Sequence, residues 1–150
     1  IWPHAGRELP SAIICDLDGT MANCDHRSPY ATELCEQDLV NEDIKKTVNA
    51  LALAHGESGM AIPILFVSGR SDKFRAETEK WLFSHGMNCT YLFMRKEGDT
   101  RKDWLIKFEI LRDEIINKYN PIAALDDRDQ VVAMWRAQEI RTFQVADGDF

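Results

Sequence analysis

Short apolar runs alternate with longer amphipathic segments along most of this chain. The apolar runs predict buried strands near residues 12–15, 63–67, 90–94, 122–125 and 142–145. The segments between them carry apolar residues at helical spacing, and helix start signals precede several of them. Short strands that alternate with helices of ten or more residues favour a parallel sheet covered on both faces. The sequence therefore predicts an α/β protein with a Rossmann-like, doubly wound parallel sheet.

Two of the predicted helices begin with recognisable start signals. Asn41, followed by two acidic residues, is typical of a helix start, and that helix closes near Gly56. The stretch 100–103 (Thr-Arg-Lys-Asp) is similar to a capping box with Asp in place of Glu. It predicts a helix beginning there, with an apolar face formed by Leu105, Phe108, Leu111 and Ile115.

Two segments fall outside this alternation. Residues 1–10 are interpreted as a leader, and residues 21–39 form a polar, irregular connection after the first strand. A connection of that length in a compact domain is usually functional or disordered. The chain as a whole, residues 1–150, is predicted to be one domain.

Composition narrows the class of protein. The chain has 150 residues, 45% hydrophobic and 29% charged, which is typical of a soluble globular domain. No apolar run approaches the ~20 residues of a membrane span.

The net charge of −7 argues against a broad duplex-binding surface, although a few arginines and a metal ion suffice to hold one phosphorylated end. The four cysteines lack C-x-x-C spacing, which favours reduced thiols in a cytoplasmic protein.

Polar residues follow four of the predicted strands or open the helix behind them. They are Asp16 and Asp18, then Ser68, Gly69 and Arg70, then Lys102, and finally Asp126 and Asp127. Ligands of doubly wound sheets bind at the carboxyl ends of the strands, so these side chains are expected at one site. Taken singly, each has a plainer interpretation: a loop acid pair, a solvated lysine, an ordinary turn. Their joint occurrence at one sheet edge favours a site.

The residue types suit phosphoryl transfer with a divalent cation. Asp16 is predicted to attack phosphorus and Asp18 to act as acid and then base. Ser68 is expected to donate to a phosphoryl oxygen, and Lys102 with Arg70 to offset the developing charge. The predicted Mg²⁺ ligands are drawn from four carboxylates: Asp16, Asp18, Asp126 and Asp127.

These motifs resemble the haloacid dehalogenase (HAD) superfamily, in particular its phosphatases, which carry an acid two positions after the nucleophile. Longer stretches are similar to the 3′-phosphatase domain of bacteriophage-type polynucleotide kinase/phosphatase. They are Arg27-x-Pro29-Tyr30, Val67-Ser68-Gly69-Arg70, Gly98-Asp99-Thr100-Arg101-Lys102-Asp103, Asp126-Asp127-Arg128-x-Gln130-Val131-Val132 and Gln144-Val145-Ala146-x-Gly148-Asp149-Phe150. The likeness runs from about Ser11 to Phe150.

The resemblance implies Mg²⁺-dependent removal of a 3′-phosphate from DNA or RNA ends in nucleic-acid repair, and opening of 2′,3′-cyclic phosphates. It implies that Arg27 and Arg70 engage the substrate phosphate or position the catalytic acids, that Ser68 and Gly69 contact substrate, and that Asp38 and Asp99 support the site or its metal. It also implies fusion to, or trimming from, a kinase domain, because in that family the phosphatase usually follows a P-loop kinase. No P-loop motif occurs in this sequence, so phosphorylation of 5′ ends is not expected of it. Residues 21–39 would then form a small cap that leaves the site open to a polymer end.

Two alternatives stay open at this point. The first is a small-molecule phosphatase, such as a nucleotidase, on the same scaffold. The second is a non-catalytic module of a larger repair enzyme. The intact set of Asp16, Asp18, Ser68, Lys102 and Asp126 argues against the second alternative.

Overall fold

This computed structural model describes residues 8–28, 30–87 and 90–150, so most of the predicted leader lies outside the described residues. Five of the described strands belong to one sheet: β1 (Ser11–Cys15), β4 (Ile64–Ser71), β5 (Thr90–Arg95), β6 (Asn120–Asp126) and β7 (Thr142–Gln144). Two short strands, β2 (Ala22–Asn23) and β3 (Leu39–Val40), form a separate pair. The five strands of the sheet are parallel and lie in the order β5-β4-β1-β6-β7. The predicted doubly wound α/β fold is confirmed.

Helices cover both faces of the sheet. They are α1 (Glu42–Ala54), α2 (Arg75–Ser84), α3 (Asp103–Ile110) and α4 (Asp129–Ala137). Side chains alternate along β1, so Ile13 and Cys15 pack against α1 and α2 while Ala12 and Ile14 pack against α3 and α4. Both faces of β1 are therefore buried, and only its carboxyl end can present polar groups.

The chain leaves β1 in one direction and later returns to its other side. It first builds β4 and β5, and β6 and β7 then add beyond β1 on the opposite side. The order reverses at β1, which opens a crevice at the ends of β1, β4 and β6. The carboxyl ends of these three strands hold Asp16, Arg70 and Asp126.

The connection after β1 is small and ordered around a short ribbon. β2 and β3 pair antiparallel, and a 3₁₀ helix at Thr32–Gln37 lies between them. Trp81 Nε1 on α2 donates to the backbone oxygen of Asp38 at 2.7 Å, and Lys80 contacts Glu36 at 2.7 Å. The ribbon is thereby tied to the body of the protein beside the strand ends.

Helix α3 differs from its prediction in its start and its buried face. It begins at Asp103 rather than Thr100, with Lys102 as its N-cap residue. Its buried side chains include Ile106, Lys107 and Ile110, whereas Leu105 and Phe108 are only partly buried. The capping-box interpretation was wrong, whereas Leu111 and Ile115 of the expected apolar face are fully buried. Within the described part of the chain, no helix has the length and apolar character needed to cross a bilayer.

Candidate active site

A tight turn after β1 places the two predicted catalytic acids in different surroundings. Asp16 is 5% exposed, and its Oδ2 accepts a hydrogen bond from Thr20 Oγ1 at 3.3 Å. Gly19 has φ +80°, and a Cβ there would lie 2.2 Å from Asp127 Oδ2. The glycine therefore lets the turn after β1 approach the acid pair after β6.

Asp16, Asp126 and Asp127 form a group that we call the carboxylate cluster. One oxygen from each lies within 4.8 Å of the others, and all three residues are buried. Lys107 Nζ donates to Asp16 Oδ1 at 2.8 Å and to Asp126 Oδ2 at 3.0 Å. Three carboxylates thus share one close ammonium group.

The excess of carboxylates over cations in this cluster shows in the pKa values of its residues. Burial, followed by the charge of Asp126, raises the pKa of Asp16 well above its usual value. The same two causes, in the same order, raise the pKa of Asp127. Burial lowers the pKa of Lys107, but the charges of Asp126 and Asp16 outweigh it and keep the ammonium protonated. A second positive charge would relieve this imbalance.

The lysine beside Asp16 is Lys107, not Lys102. Lys102 is exposed at the N-terminus of α3, whereas Lys107 lies on the buried face of the helix and is 1% exposed. The prediction failed because it took the helix to begin at Thr100 and looked for the cation in the first turn. Lys107 sits four residues before Leu111, so helical spacing places a lysine on the predicted apolar face. That conflict was the available signal.

Asp103 is a second residue that the sequence did not single out. Its carboxylate lies 3.5 Å from Lys107 Nζ and 3.3 Å from Arg95 Nη2. Asp99, the predicted supporting residue, lies on the cavity wall but pairs with Arg101 at 2.8 Å. Asp99 also accepts from the backbone N–H of Arg101. Of these two acids, Asp103 is therefore the one near Lys107, and Asp99 orders the loop before α3.

Arg27, Arg70, Asp18 and Asp38 form what we call the arginine network. Arg70 Nη2 donates to Asp18 Oδ1 at 2.6 Å and to Asp38 Oδ2 at 2.7 Å. Arg27 donates to Asp38 Oδ1 from Nε at 2.7 Å and to Asp18 Oδ1 from Nη2 at 3.1 Å. Two guanidinium groups thus bridge two carboxylates, and Asp38, to which the family resemblance assigned a supporting role, accepts hydrogen bonds from both of them.

The Asp18 carboxylate belongs to this network and not to the carboxylate cluster. Burial raises the pKa of Asp18, but hydrogen bonds from Arg70 outweigh it and leave the pKa lowered. Asp18, Cys24 and Asp38 also lie close enough to one another for a metal. Because Arg27 and Arg70 already neutralise these acids, the prediction that the Asp18 side chain is a Mg²⁺ ligand does not fit this geometry.

Ser68 and Gly69 follow one another at the end of β4 but have different surroundings. Ser68 is 1% exposed, and its Oγ accepts the backbone N–H of Arg70 at 3.1 Å. It is not among the described residues that line the cavity, whereas Gly69 is. The contact of Ser68 with a phosphoryl oxygen remains a prediction.

A cavity of about 1160 Å³ joins the two groups. Its walls include Asp16, Asp18, Asp126, Asp127 and Arg70. The outer wall adds aromatic and basic side chains, among them Tyr30, Phe74, Arg101, Arg128 and Phe150. The cavity is far larger than a phosphate group requires and has room for the end of a larger ligand.

The site and fold match a known family. The family model described as "Polynucleotide kinase PNKP phosphatase domain" matches residues 10–150. The chain belongs to the PNKP phosphatase domain family. The resemblance predicted from the motifs is thus confirmed, and this PNKP phosphatase domain has a HAD-type fold with the site at the switch in strand order.

Known proteins similar to this PNKP phosphatase domain are larger. A putative bifunctional polynucleotide kinase/RNA ligase of Autographa californica nuclear polyhedrosis virus is 40% identical over 139 residues, covering 91% of this chain and 19% of the viral protein. A chain in a structure of the Pnkp1/Rnl/Hen1 RNA repair complex superposes with TM-score 0.85 at 39% identity, covering 95% of this chain and 44% of its own. A second structure of the Pnkp1/Rnl/Hen1 complex gives TM-score 0.85 at 40% identity, with coverages of 95% and 47%. This chain therefore spans less than half of each relative.

Proposed function

We propose that this domain is a Mg²⁺-dependent phosphohydrolase that removes the 3′-phosphate from nucleic-acid ends through an aspartyl-phosphate intermediate. The observation that carries the proposal is the pairing of two unlike groups in one cavity. A buried, acid-rich cluster around Asp16 suits a cation and a nucleophile. The arginine network beside it presents guanidinium groups that suit a phosphate.

The donor set of the carboxylate cluster fits Mg²⁺. Asp16, Asp126 and Asp127 offer hard oxygen ligands, and Lys107 alone leaves them short of positive charge. These residues would hold the ion, which when bound neutralises phosphoryl oxygens and so lowers the repulsion between phosphate and an attacking carboxylate. Asp16, Asp126 and Asp127 are three of the four carboxylates from which the predicted ligands are drawn.

The reaction is proposed in two steps. A carboxylate oxygen of Asp16 forms a bond to phosphorus as the bond from phosphorus to the 3′-oxygen breaks, and that oxygen takes a proton from Asp18. A water molecule then attacks phosphorus, gives a proton to Asp18, and displaces the Asp16 carboxylate. The products are a 3′-hydroxyl end, inorganic phosphate and the regenerated enzyme.

Other side chains position the reacting groups. Lys107 holds Asp16 and Asp126 in fixed relation and offsets negative charge near the phosphoryl group. Arg70 and Arg27 already donate to carboxylate oxygens, and a phosphoryl group offers oxygens of the same kind. We propose that the bound phosphate takes over part of the hydrogen bonds that Arg70 and Arg27 donate to Asp18. Asp18 can then carry the proton that it gives to the 3′-oxygen in the first step and recovers from water in the second.

Similarity to larger repair proteins suggests the setting of this activity. The viral relative is named as a polynucleotide kinase/RNA ligase, and the solved relatives are part of RNA repair complexes. We propose that this domain acts as the end-trimming phosphatase of such a protein, on DNA or RNA, and that it also opens 2′,3′-cyclic phosphates. The described thiols Cys15, Cys24 and Cys35 are free, which supports a reducing compartment such as the cytoplasm.

One assay tests the proposal against the nucleotidase alternative. Phosphate release is measured from a 3′-phosphorylated oligonucleotide and from a nucleoside 3′-monophosphate, each with Mg²⁺ and with EDTA. We expect release from the oligonucleotide only with Mg²⁺, with kcat/KM above that for the mononucleotide. Faster release from the mononucleotide would favour the nucleotidase. Release from neither substrate would favour a non-catalytic module.

A further inference from the structure

The segment 146–150 lies against the catalytic loop after β6, although it supplies none of the residues of the proposed chemistry. The backbone N–H of Asp129 donates to the Gly148 oxygen at 2.9 Å, and Phe150 N–H donates to the same oxygen at 2.9 Å. A Cβ on Gly148 would lie 1.9 Å from the backbone carbonyl oxygen of Asp127, so only glycine lets the segment come this close to the loop after β6. The position of Phe150 is thus coupled to that of the carboxylate cluster.

Phe150 presents an aromatic ring to the cavity. The side chain lines the cavity wall and is 64% exposed, and it belongs to neither hydrophobic core cluster. Core packing therefore does not account for its place. A large, exposed aromatic ring in a polar cavity instead suits a flat, partly apolar ligand.

Arg128 supports the ring from one side. Its guanidinium carbon lies 4.7 Å from the centre of the Phe150 ring, a cation–π distance. The backbone N–H of Arg128 donates to Asp126 Oδ1 at 3.3 Å, and its Nη1 lies 3.8 Å from Asp103 Oδ2. One face of the ring is occupied by a cation that neighbours the reaction centre, and its exposure leaves surface open to a ligand.

We propose that Phe150, backed by Arg128, is the stacking platform for the nucleobase next to the 3′-phosphate. This inference rests on the proposed function, because it takes the phosphate to lie at Asp16. A short chain of contacts leads from Asp16 through Lys107 and Asp103 to Arg128. Every nucleobase has a π face, so such a platform tolerates sequence and favours a base-bearing end over a bare sugar phosphate. The guanidinium of Arg128 adds attraction for the phosphodiester backbone.

The test compares two 3′-phosphorylated oligonucleotides that differ only in whether the terminal sugar carries a base. Kinetics are measured for wild type, Phe150→Leu and Phe150→Trp. Phe83→Leu serves as the matched control, because Phe83 is a 71% exposed ring on α2 that is not a lining residue of the cavity. Leucine keeps an apolar side chain and removes the π face, whereas tryptophan keeps the π face.

For the base-bearing end, we expect Phe150→Leu to raise KM about tenfold, which is the lower part of the range for stacking one base. The kcat should stay within about twofold, and the abasic end should show no change. Phe150→Trp should retain the wild-type KM, and Phe83→Leu should have no effect on either substrate. Equal losses on both ends would show that Phe150 only positions the loop, and no loss on either would remove it from the site; both results overturn the inference.

A binding measurement separates this inference from the proposed activity. Fluorescence anisotropy with both oligonucleotides, in an Asp16→Asn background, reports stacking without turnover. Weaker binding of the base-bearing end by Phe150→Leu supports the platform even if wild type releases no phosphate. If wild type is active but binding does not distinguish the two ends, the platform is wrong and the activity stands.

Discussion

The carboxylate cluster and the arginine network start two residues apart, at Asp16 and Asp18, yet they differ in charge balance. The cluster holds three acids around one ammonium group, whereas the network pairs two acids with two guanidinium groups. Both contain ligand atoms at metal-binding distances from one another. The distances between ligand atoms therefore do not tell the cluster from the network, whereas the number of neighbouring cations does. The cluster is short of positive charge, whereas the charges of the network are balanced.

The largest expected effect is on the nucleophile. Asp16→Asn should lower kcat on a 3′-phosphorylated oligonucleotide by at least about 10⁴-fold, since an amide oxygen is a poor nucleophile toward phosphorus. Because the change removes one of three mutually repelling carboxylates, the melting temperature without Mg²⁺ should not fall. Calorimetry beside the kinetic assay checks both points. A fully active Asp16→Asn enzyme would mean that the nucleophile is misassigned.

A substitution in the arginine network should lower the stability of the fold, unlike Asp16→Asn. Asp38 is 3% exposed and accepts from both Arg27 and Arg70, so Asp38→Asn leaves two buried cations short of negative charge. We expect the free energy of unfolding to fall by about 3–5 kcal/mol in urea titrations. Asp113→Asn is the control, because its pair with Arg112 is half exposed and its loss should leave the free energy of unfolding almost unchanged. Equal losses of stability in the two variants would mean that the network does not depend on its buried charge pairs.

Replacing Lys107 tests the role of the ammonium group that contacts the carboxylate cluster. Lys107→Met should lower kcat by about 10²–10³-fold, because it removes the charge that faces both Asp16 and the phosphoryl group. Lys102→Met is its control and should stay within about twofold, since Lys102 is exposed. The reverse ranking of the two lysines would restore the sequence assignment and refute the structural one.

These two lysines also show where sequence reasoning succeeded and where it stopped. Strand ends were predictable because an apolar run that ends in acids is typical of a buried strand whose end meets solvent or a ligand, and Asp16 and Asp126 do lie together. The start of α3 was not, because an approximate capping box at 100–103 set it too early. A lysine on an apolar face was then passed over, although burial of Lys107 among acids is what makes that position tolerable.

The network was harder to predict for a different physical reason. Arg27 and Asp38 lie in an irregular segment without periodicity, and Asp38 pairs with Arg70, which lies 32 positions further along the chain. Only family resemblance pointed to these two residues, and spacing offered no equivalent signal. Asp103 was missed because it was counted as part of a cap; the actual start of α3 places it in contact with Lys107.

The smallest expected effect is the gain in stability on Mg²⁺ binding, which tests whether the carboxylate cluster or the arginine network holds the metal. At Mg²⁺ concentrations about a hundredfold above Kd, binding to the folded state should stabilise wild type by about 2–3 kcal/mol, which corresponds to ~5–10 °C in melting temperature. Asp126→Asn should lose most of this increment, because it removes a ligand from the acid-rich cluster. Asp18→Asn should keep the increment, whatever its own baseline stability, because Arg27 and Arg70 neutralise the group around Asp18. If Asp18→Asn abolished the increment and Asp126→Asn kept it, the metal would lie in the network, and charge balance would not be what distinguishes the two regions.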